Sequence, residues 1–166
     1  MTWLPFDLHP EYPETGLPRE QLLARYGDAG IDRVRRMFEA VGLTYEPHPA
    51  TVPNTMRALR VTELARDRGL HQAVHDRLMQ AYWEESRDIG DPQELLALAH
   101  EAGLEGPEVE EVLAGDEYLD RVRCSTAEAQ SLGITGIPAF VLDDRLLVMG
   151  AQPRAVFERA FDQLEA

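Results

Sequence analysis

Thr135–Gly150 reads TGIPAFVLDDRLLVMG, and the fold of the whole chain follows from how this stretch is read. Gly136-Ile137-Pro138 leads straight into the apolar run Ala139–Leu142. Asp143-Asp144 marks a turn, and Leu146–Met149 runs back to Gly150. Proline has no N–H to give to a ladder, so Pro138 fits only at a strand's first residue or on an edge. Two short apolar runs across a polar turn predict a β-hairpin. Val156, Phe157, Ala160, Phe161 and Leu164 then recur at helical spacing within Pro153–Leu164. The last ~40 residues therefore read β-β-α.

Working outward, Thr2–Leu8 alternates weakly and carries Pro5, which predicts a short strand. His9–Pro13 is too proline-rich for regular structure. From Leu17 to about residue 130 the sequence is helical punctuation. Pro18 at a first helical position precedes Leu22, Leu23 and Tyr26, and Gly27 stops that segment. Ile31, Val34, Phe38 and Val41 form the next stripe, ended by Gly42, before the proline-rich loop 45–53. Asn54 reads as the N-cap of a helix closing near Gly69. The clearest helix follows, with Leu70, Ala73, Val74, Leu78, Ala81 and Tyr82 at i, i+3, i+4 spacing. Asp91-Pro92-Gln93-Glu94 supplies a cap, a first-turn proline and a capping-box Glu. Gly106-Pro107 opens a short helix that stops at Gly115, and Asp116 caps a long one running to Leu132. No repeat or low-complexity linker divides the chain.

The totals exclude several classes. The chain has 166 residues, about one domain's worth, with 44% hydrophobic and 28% charged residues. No apolar run approaches bilayer-spanning length, so no membrane span is expected. The N-terminus MTWLPFDLHPEYPE has no basic region and no apolar core of signal-peptide length, so a cytoplasmic protein is expected. The net charge of −14, with every basic residue an Arg, argues against a nucleic-acid partner. Cys124 is the only cysteine, which rules out an internal disulfide.

The order strand, helical block, hairpin, helix, with Ile-Pro entering the hairpin, resembles the C-terminal half of a thioredoxin fold. The family resembled is the DsbA-like oxidoreductases, most closely the FrnE-like branch that includes the 2-hydroxychromene-2-carboxylate isomerases. The resemblance rests on Pro5-Phe6-Asp7-Leu8, on Asn54-Thr55 with Ala58-Leu59-Arg60, and on Gly69–His71 through Ala81–Trp83 to Asp88–Asp91. It continues in Leu132–Pro138 and Gly150-Ala151-Gln152-Pro153. It implies an α/β, thioredoxin-like fold with an incomplete sheet and a large inserted all-helical subdomain. Residues 1–16 and 126–166 would form the thioredoxin-like part and 17–125 the insertion. It also implies that Pro138 is cis and that its loop faces a redox-active Cys-x-x-Cys.

The family places a strand and a thiol-bearing helix before the strand expected at Thr2–Leu8, and these residues do not contain them. The helix N-terminus is what lowers the attacking thiol's pKa. The family's strand lies between Thr2–Leu8 and the hairpin, so two rows of unpaired backbone groups are expected. Such rows invite strand exchange, aggregation or a homodimer. This chain alone is therefore expected to be incomplete as a catalyst, through a misassigned start, a separate N-terminal piece or a true truncation.

By resemblance, Gly136, Ile137 and Pro138 form the substrate-facing loop, where the backbone before the proline pairs with an extended substrate chain. A proline that simply starts a strand is the alternative. Asn54 faces the same cleft by resemblance, and a helix N-cap explains it as well. Cys124 has no second thiol and reads as a small incidental residue. His71 and His75 sit four apart without a third ligand and read as a solvated helix face. His9, His48 and His100 show no metal-ligand spacing.

Three functions remain open. The first is a thiol–disulfide oxidoreductase acting on disulfide-containing or extended polypeptides. The second is an isomerase-like relative with Ser in place of cysteine, glutathione as cofactor and a small thiol-linked substrate. The third is a non-catalytic binding protein that keeps the groove at Ile137-Pro138.

Overall fold

The computed structural model describes residues 1–46 and 49–165, apart from the side chains of Tyr26, Asp28 and Ala29. His48 therefore lies outside the described residues. The elements run β1 Leu17–Pro18, α1 Arg19–Ala40, β2 Thr51–Val52, α2 Met56–Asp67, α3 His71–Trp83 and α4 Pro92–Glu101. They continue with α5 Gly106–Ala114, α6 Leu119–Ser131, β3 Ala139–Leu142, β4 Leu146–Met149 and α7 Arg154–Glu165.

The core is helical. Val61, Leu64 and Ala65 of α2 meet Val74, Leu78 and Ala81 of α3, with Leu95, Leu98 and Ala99 of α4 and Val109 and Val112 of α5 closing round them. Burying each such Val or Leu contributes about 1.5–3 kcal/mol, so this block is the stable body of the chain. Part of the expected punctuation holds. Gly27 breaks α1 at φ 68, and Asp91 accepts from the N–H groups of Gln93 (2.8 Å) and Glu94 (3.0 Å) at the start of α4. Only half of a capping box forms there, because the Glu94 side chain turns to Arg87 (2.6 Å) instead.

Three expectations need correction. Residues 17–125 are not all helical, since β1 pairs with β2 through Leu17–Val52 and Pro18–Thr51. The two strands bracket α1, so closing that loop brings two extended segments side by side. Helix α6 begins at Leu119, not after a cap at Asp116. Arg60 takes the carbonyls of Gly115 (2.5 Å) and Glu117 (2.7 Å), which holds the turn out of the helix, and Tyr118 sits at φ 65. Thr2–Leu8 forms no strand and joins no sheet; among the described residues β3 and β4 pair only with each other. Its backbone is held by side chains. Arg66 donates to the Trp3 carbonyl (2.5 Å), Ser125 to that of Pro5 (2.7 Å), and the Asp7 N–H donates to Thr126 (2.9 Å).

The hairpin and its helix form a small second unit. Asp143 (φ 53) and Asp144 (φ 50) supply the two left-handed residues that a primed hairpin turn uses. Phe140 packs edge-on to Phe157 of α7 with ring centres 4.9 Å apart, and Val148 is buried.

Candidate functional site

The turn at Gly136–Pro138 is positioned by the end of α6. Gly133 adopts φ 80, its N–H donates to Gln130 (2.9 Å), and the Ile134 N–H reaches Ala129 (3.0 Å). This is a Schellman stop, which needs a residue that tolerates positive φ. Ile134 is buried, so the chain leaves the helix in a fixed direction. Thr135, Gly136 and Ile137 follow, and the Ile137–Pro138 peptide is cis. The Pro138 carbonyl accepts from Gly150 N–H (2.7 Å), which ties the turn to the end of β4.

Ile137 is left open. Its side chain is 57% exposed, and among the described residues neither its N–H nor its C=O has a hydrogen-bond partner. An exposed donor and acceptor on one residue, next to a proline that offers no donor, is a docking point for the backbone of an extended chain.

Asn54 does not join that turn by hydrogen bonds. Its side-chain amide donates to the Tyr12 carbonyl (2.7 Å), and its oxygen accepts from Met56 N–H (2.9 Å). It is not the N-cap that the sequence led one to expect: Thr55 holds that position, without a side-chain cap bond, while Asn54 closes a turn onto Met56 just before α2 and pins the loop 9–13. Gly90 presses on the same place, where an added Cβ would lie 2.9 Å from the Pro53 side chain.

Cys124 is exposed on α6. The His71 and His75 rings stack nearly parallel 5.9 Å apart, and His75 stacks in turn on Trp3 (5.0 Å). They are thus part of the clamp on the N-terminal segment, not a free solvated face. Burial holds both imidazoles below the ordinary histidine pKa; Arg66 adds to this at His71, while Asp76 opposes it at His75. Among the described residues no group of three or more His, Cys, Asp or Glu side chains could hold a metal. An open polar cavity of about 450 Å³ lies between Pro49 and the α3–α4 turn, lined by Ser86, Arg87, Asp88, Asp91 and Glu94, and includes none of Gly136–Pro138.

Sequence reasoning missed Asp7. It is buried against α6, and desolvation pushes its carboxyl above the usual range, opposed by the His9 N–H that it accepts. The available signal was the run Ser125-Thr126 on a helix, two hydroxyls facing the alternate residues Pro5 and Asp7. Arg60 and Glu63 were also missed, both charged and buried inside the α2 stripe.

A hairpin entered through a cis-proline turn, followed by a helix and attached to a helical block, defines a thioredoxin-type protein with a helical insertion. The family model for the DSBA-like thioredoxin domain matches residues 1–162, and the chain belongs to that family. It is 28% identical over 165 residues to the uncharacterized protein YwbO of Bacillus subtilis, a match spanning 95% of this chain and 78% of that one. A crystal structure of a probable DsbA oxidoreductase from Streptomyces coelicolor superposes with a TM-score of 0.87 at 36% identity. That superposition covers 95% of this chain and 72% of the other. Among the described residues no helix is long and apolar enough to cross a membrane.

Proposed function

We propose that this chain forms the substrate-facing part of a thiol–disulfide oxidoreductase acting on disulfide-containing or extended polypeptides. The observation behind the reading is Ile137, exposed beside Pro138 with both backbone groups free, in a chain of the DSBA-like family. An extended substrate pairs there through its backbone, which holds its disulfide for attack. Exchange begins when a thiolate attacks one sulfur of that disulfide, forming a mixed disulfide and releasing the other sulfur as a thiolate. A second thiol then displaces the substrate and leaves the enzyme's pair oxidised. These 166 residues hold one thiol, so the reacting pair needs sulfur from outside them. An exposed free cysteine at position 124 fits a reducing compartment, which favours the cytoplasm.

A FrnE-like specialisation belongs to the same proposal. A glutathione-dependent relative would use the same Ile137 platform for the tripeptide backbone. The test is insulin-disulfide reduction by the natural polypeptide purified from its own cells, with the 166-residue chain alongside. Activity is expected in the first, with Ile137→Pro lowering it by raising KM, and little is expected in the second. Inactivity of the natural polypeptide toward any protein disulfide would overturn the reading. Tight binding of glutathione in its place would favour the isomerase-like alternative.

A further inference from the structure

The N-terminal segment places Trp3 in a stack of rings that titrate. Trp3 lies on His75 with ring centres 5.0 Å apart, and His75 lies on His71 at 5.9 Å with the two imidazoles 10° from parallel. Both histidines are half-buried. His71 is the first residue of α3, where unpaired N–H groups disfavour a cation, and no acidic side chain in that turn offsets them. From α2, Arg66 stands beside His71 and donates to the Trp3 carbonyl (2.5 Å). Glu63 pulls the other way but more weakly, being committed to Arg66 (3.0 Å) and lying 3.6 Å from Arg121 of α6. From α3, Asp76 favours a charge on His75, although the Gln72 side chain donates to it (2.7 Å). A single proton therefore settles on His75, between Asp76 and the indole face, which attracts a cation. A second proton, on His71, meets His75, Arg66 and the helix N-terminus, all positive.

We infer that the Trp3–His75–His71 stack is a pH-sensitive latch between the N-terminal segment and the helical block, closed while the pair carries at most one proton and opened by the second. Two charged imidazoles repel face to face, so His75 swings toward solvent and frees the indole. Burial holds both imidazoles below the ordinary histidine pKa in the docked state, so falling pH favours the open one. The far end of the segment responds in the opposite sense. Asp7 is buried with its N–H on Thr126 of α6 (2.9 Å), and desolvation raises its carboxyl pKa, so acid favours the docked, neutral form there. Acid thus releases Trp3 while it secures Asp7. The segment turns about Pro5, whose carbonyl accepts from Ser125 (2.7 Å).

The test is acrylamide quenching of Trp3 fluorescence in a Trp83→Phe background, with nuclear Overhauser contacts, the Asp7 amide and far-ultraviolet circular dichroism followed in parallel. From about pH 8 to about pH 5, the Trp3 indole is expected to become accessible to acrylamide and to lose its contacts with His75. The circular dichroism is expected to stay unchanged and the Asp7 amide to stay protected. His75→Phe keeps a ring against Trp3 without a proton site, and His71→Gln removes the second charge. Each is expected to leave Trp3 shielded across the range. The inference is overturned if wild-type Trp3 stays shielded throughout or if either variant loses shielding as the wild type does. Loss of shielding only together with the helical circular dichroism overturns it equally, since that is unfolding and not a latch.

Discussion

Replacing Arg60 by Ala tests the tightest polar joint in the helical block. The guanidinium is 6% exposed and donates to three backbone carbonyls: Val112 in the last turn of α5, Gly115 (2.5 Å) and Glu117 (2.7 Å). Val112 and Gly115 lie where a helix end leaves its carbonyls without intrahelical partners, and a cation is favoured there. Burial lowers the Arg60 pKa while Asp116 and Glu117 pull it back, so the charge is retained. Each hydrogen bond to a charged group is worth about 1.5–3 kcal/mol, an upper bound here because water can refill part of the space left by truncation. A loss of about 3–5 kcal/mol follows, by analogy with breaking a buried pair. At ~2–4 °C per kcal/mol for a chain of this size, the melting temperature falls by roughly 6–20 °C. The assay is urea unfolding followed by far-ultraviolet circular dichroism, with Arg154→Ala as control. Arg154 pairs with Glu158 (2.7 Å) on the exposed surface, and its loss costs no more than ~1 kcal/mol. If Arg60→Ala costs no more than the control, the α5–α6 turn is held by something other than this guanidinium. Arg60→Lys keeps the charge but cannot span three acceptors, so it falls between the two.

Asn54→Ala removes the turn bond to the Met56 N–H and the tie to Tyr12, and should cost ~1–2 kcal/mol in the same unfolding experiment. His71 and His75 have folded pKa values below their unfolded value near 6.5, so the unfolded chain takes up protons first as pH falls. Stability therefore rises with pH from the depressed folded pKa values up to about 6.5 and is lost on acidification through that window. His75→Gln should flatten the profile there, and fluorescence of Trp3, read in a Trp83→Phe background, should follow the wild-type transition. Cys124 should react stoichiometrically with an aromatic disulfide reagent without denaturant, and Cys124→Ser should shift stability by less than ~0.5 kcal/mol.

The helices were legible because each carries its own signal. Gly27 and Gly133 sit where only a residue that tolerates positive φ continues the chain, Asp91 caps α4, and the α3 stripe names its buried face. The hairpin was legible for the same local reason, down to the two aspartates of its turn. Pro138 could be read as a special proline only through the family resemblance, since its surroundings are assembled from residues distant in sequence. Arg60 was opaque. A charged residue on an apolar stripe is intelligible only once the carbonyls 52 to 57 residues away are brought to it. The strand expected at Thr2–Leu8 failed because alternation predicts an extended chain, while a strand also requires a neighbour.

That failure and the open Ile137 are one physical fact. In the N-terminal segment the alternate residues Trp3, Pro5 and Asp7 bond to side chains of α2 and α6, while Leu4 and Phe6 between them have no backbone partner among the described residues. In the hairpin, Phe140 and Leu142 face β4, while Ala139 and Val141 face outward. Each is a stretch of backbone satisfied at alternate residues. Unpaired donors and acceptors have no strong preference among extended chains of suitable register. The side chains do discriminate, because Ile137 and Val141 are apolar and uncharged at the contact. A charged strand is disfavoured there, and an apolar one competes for the same groups that a substrate would use.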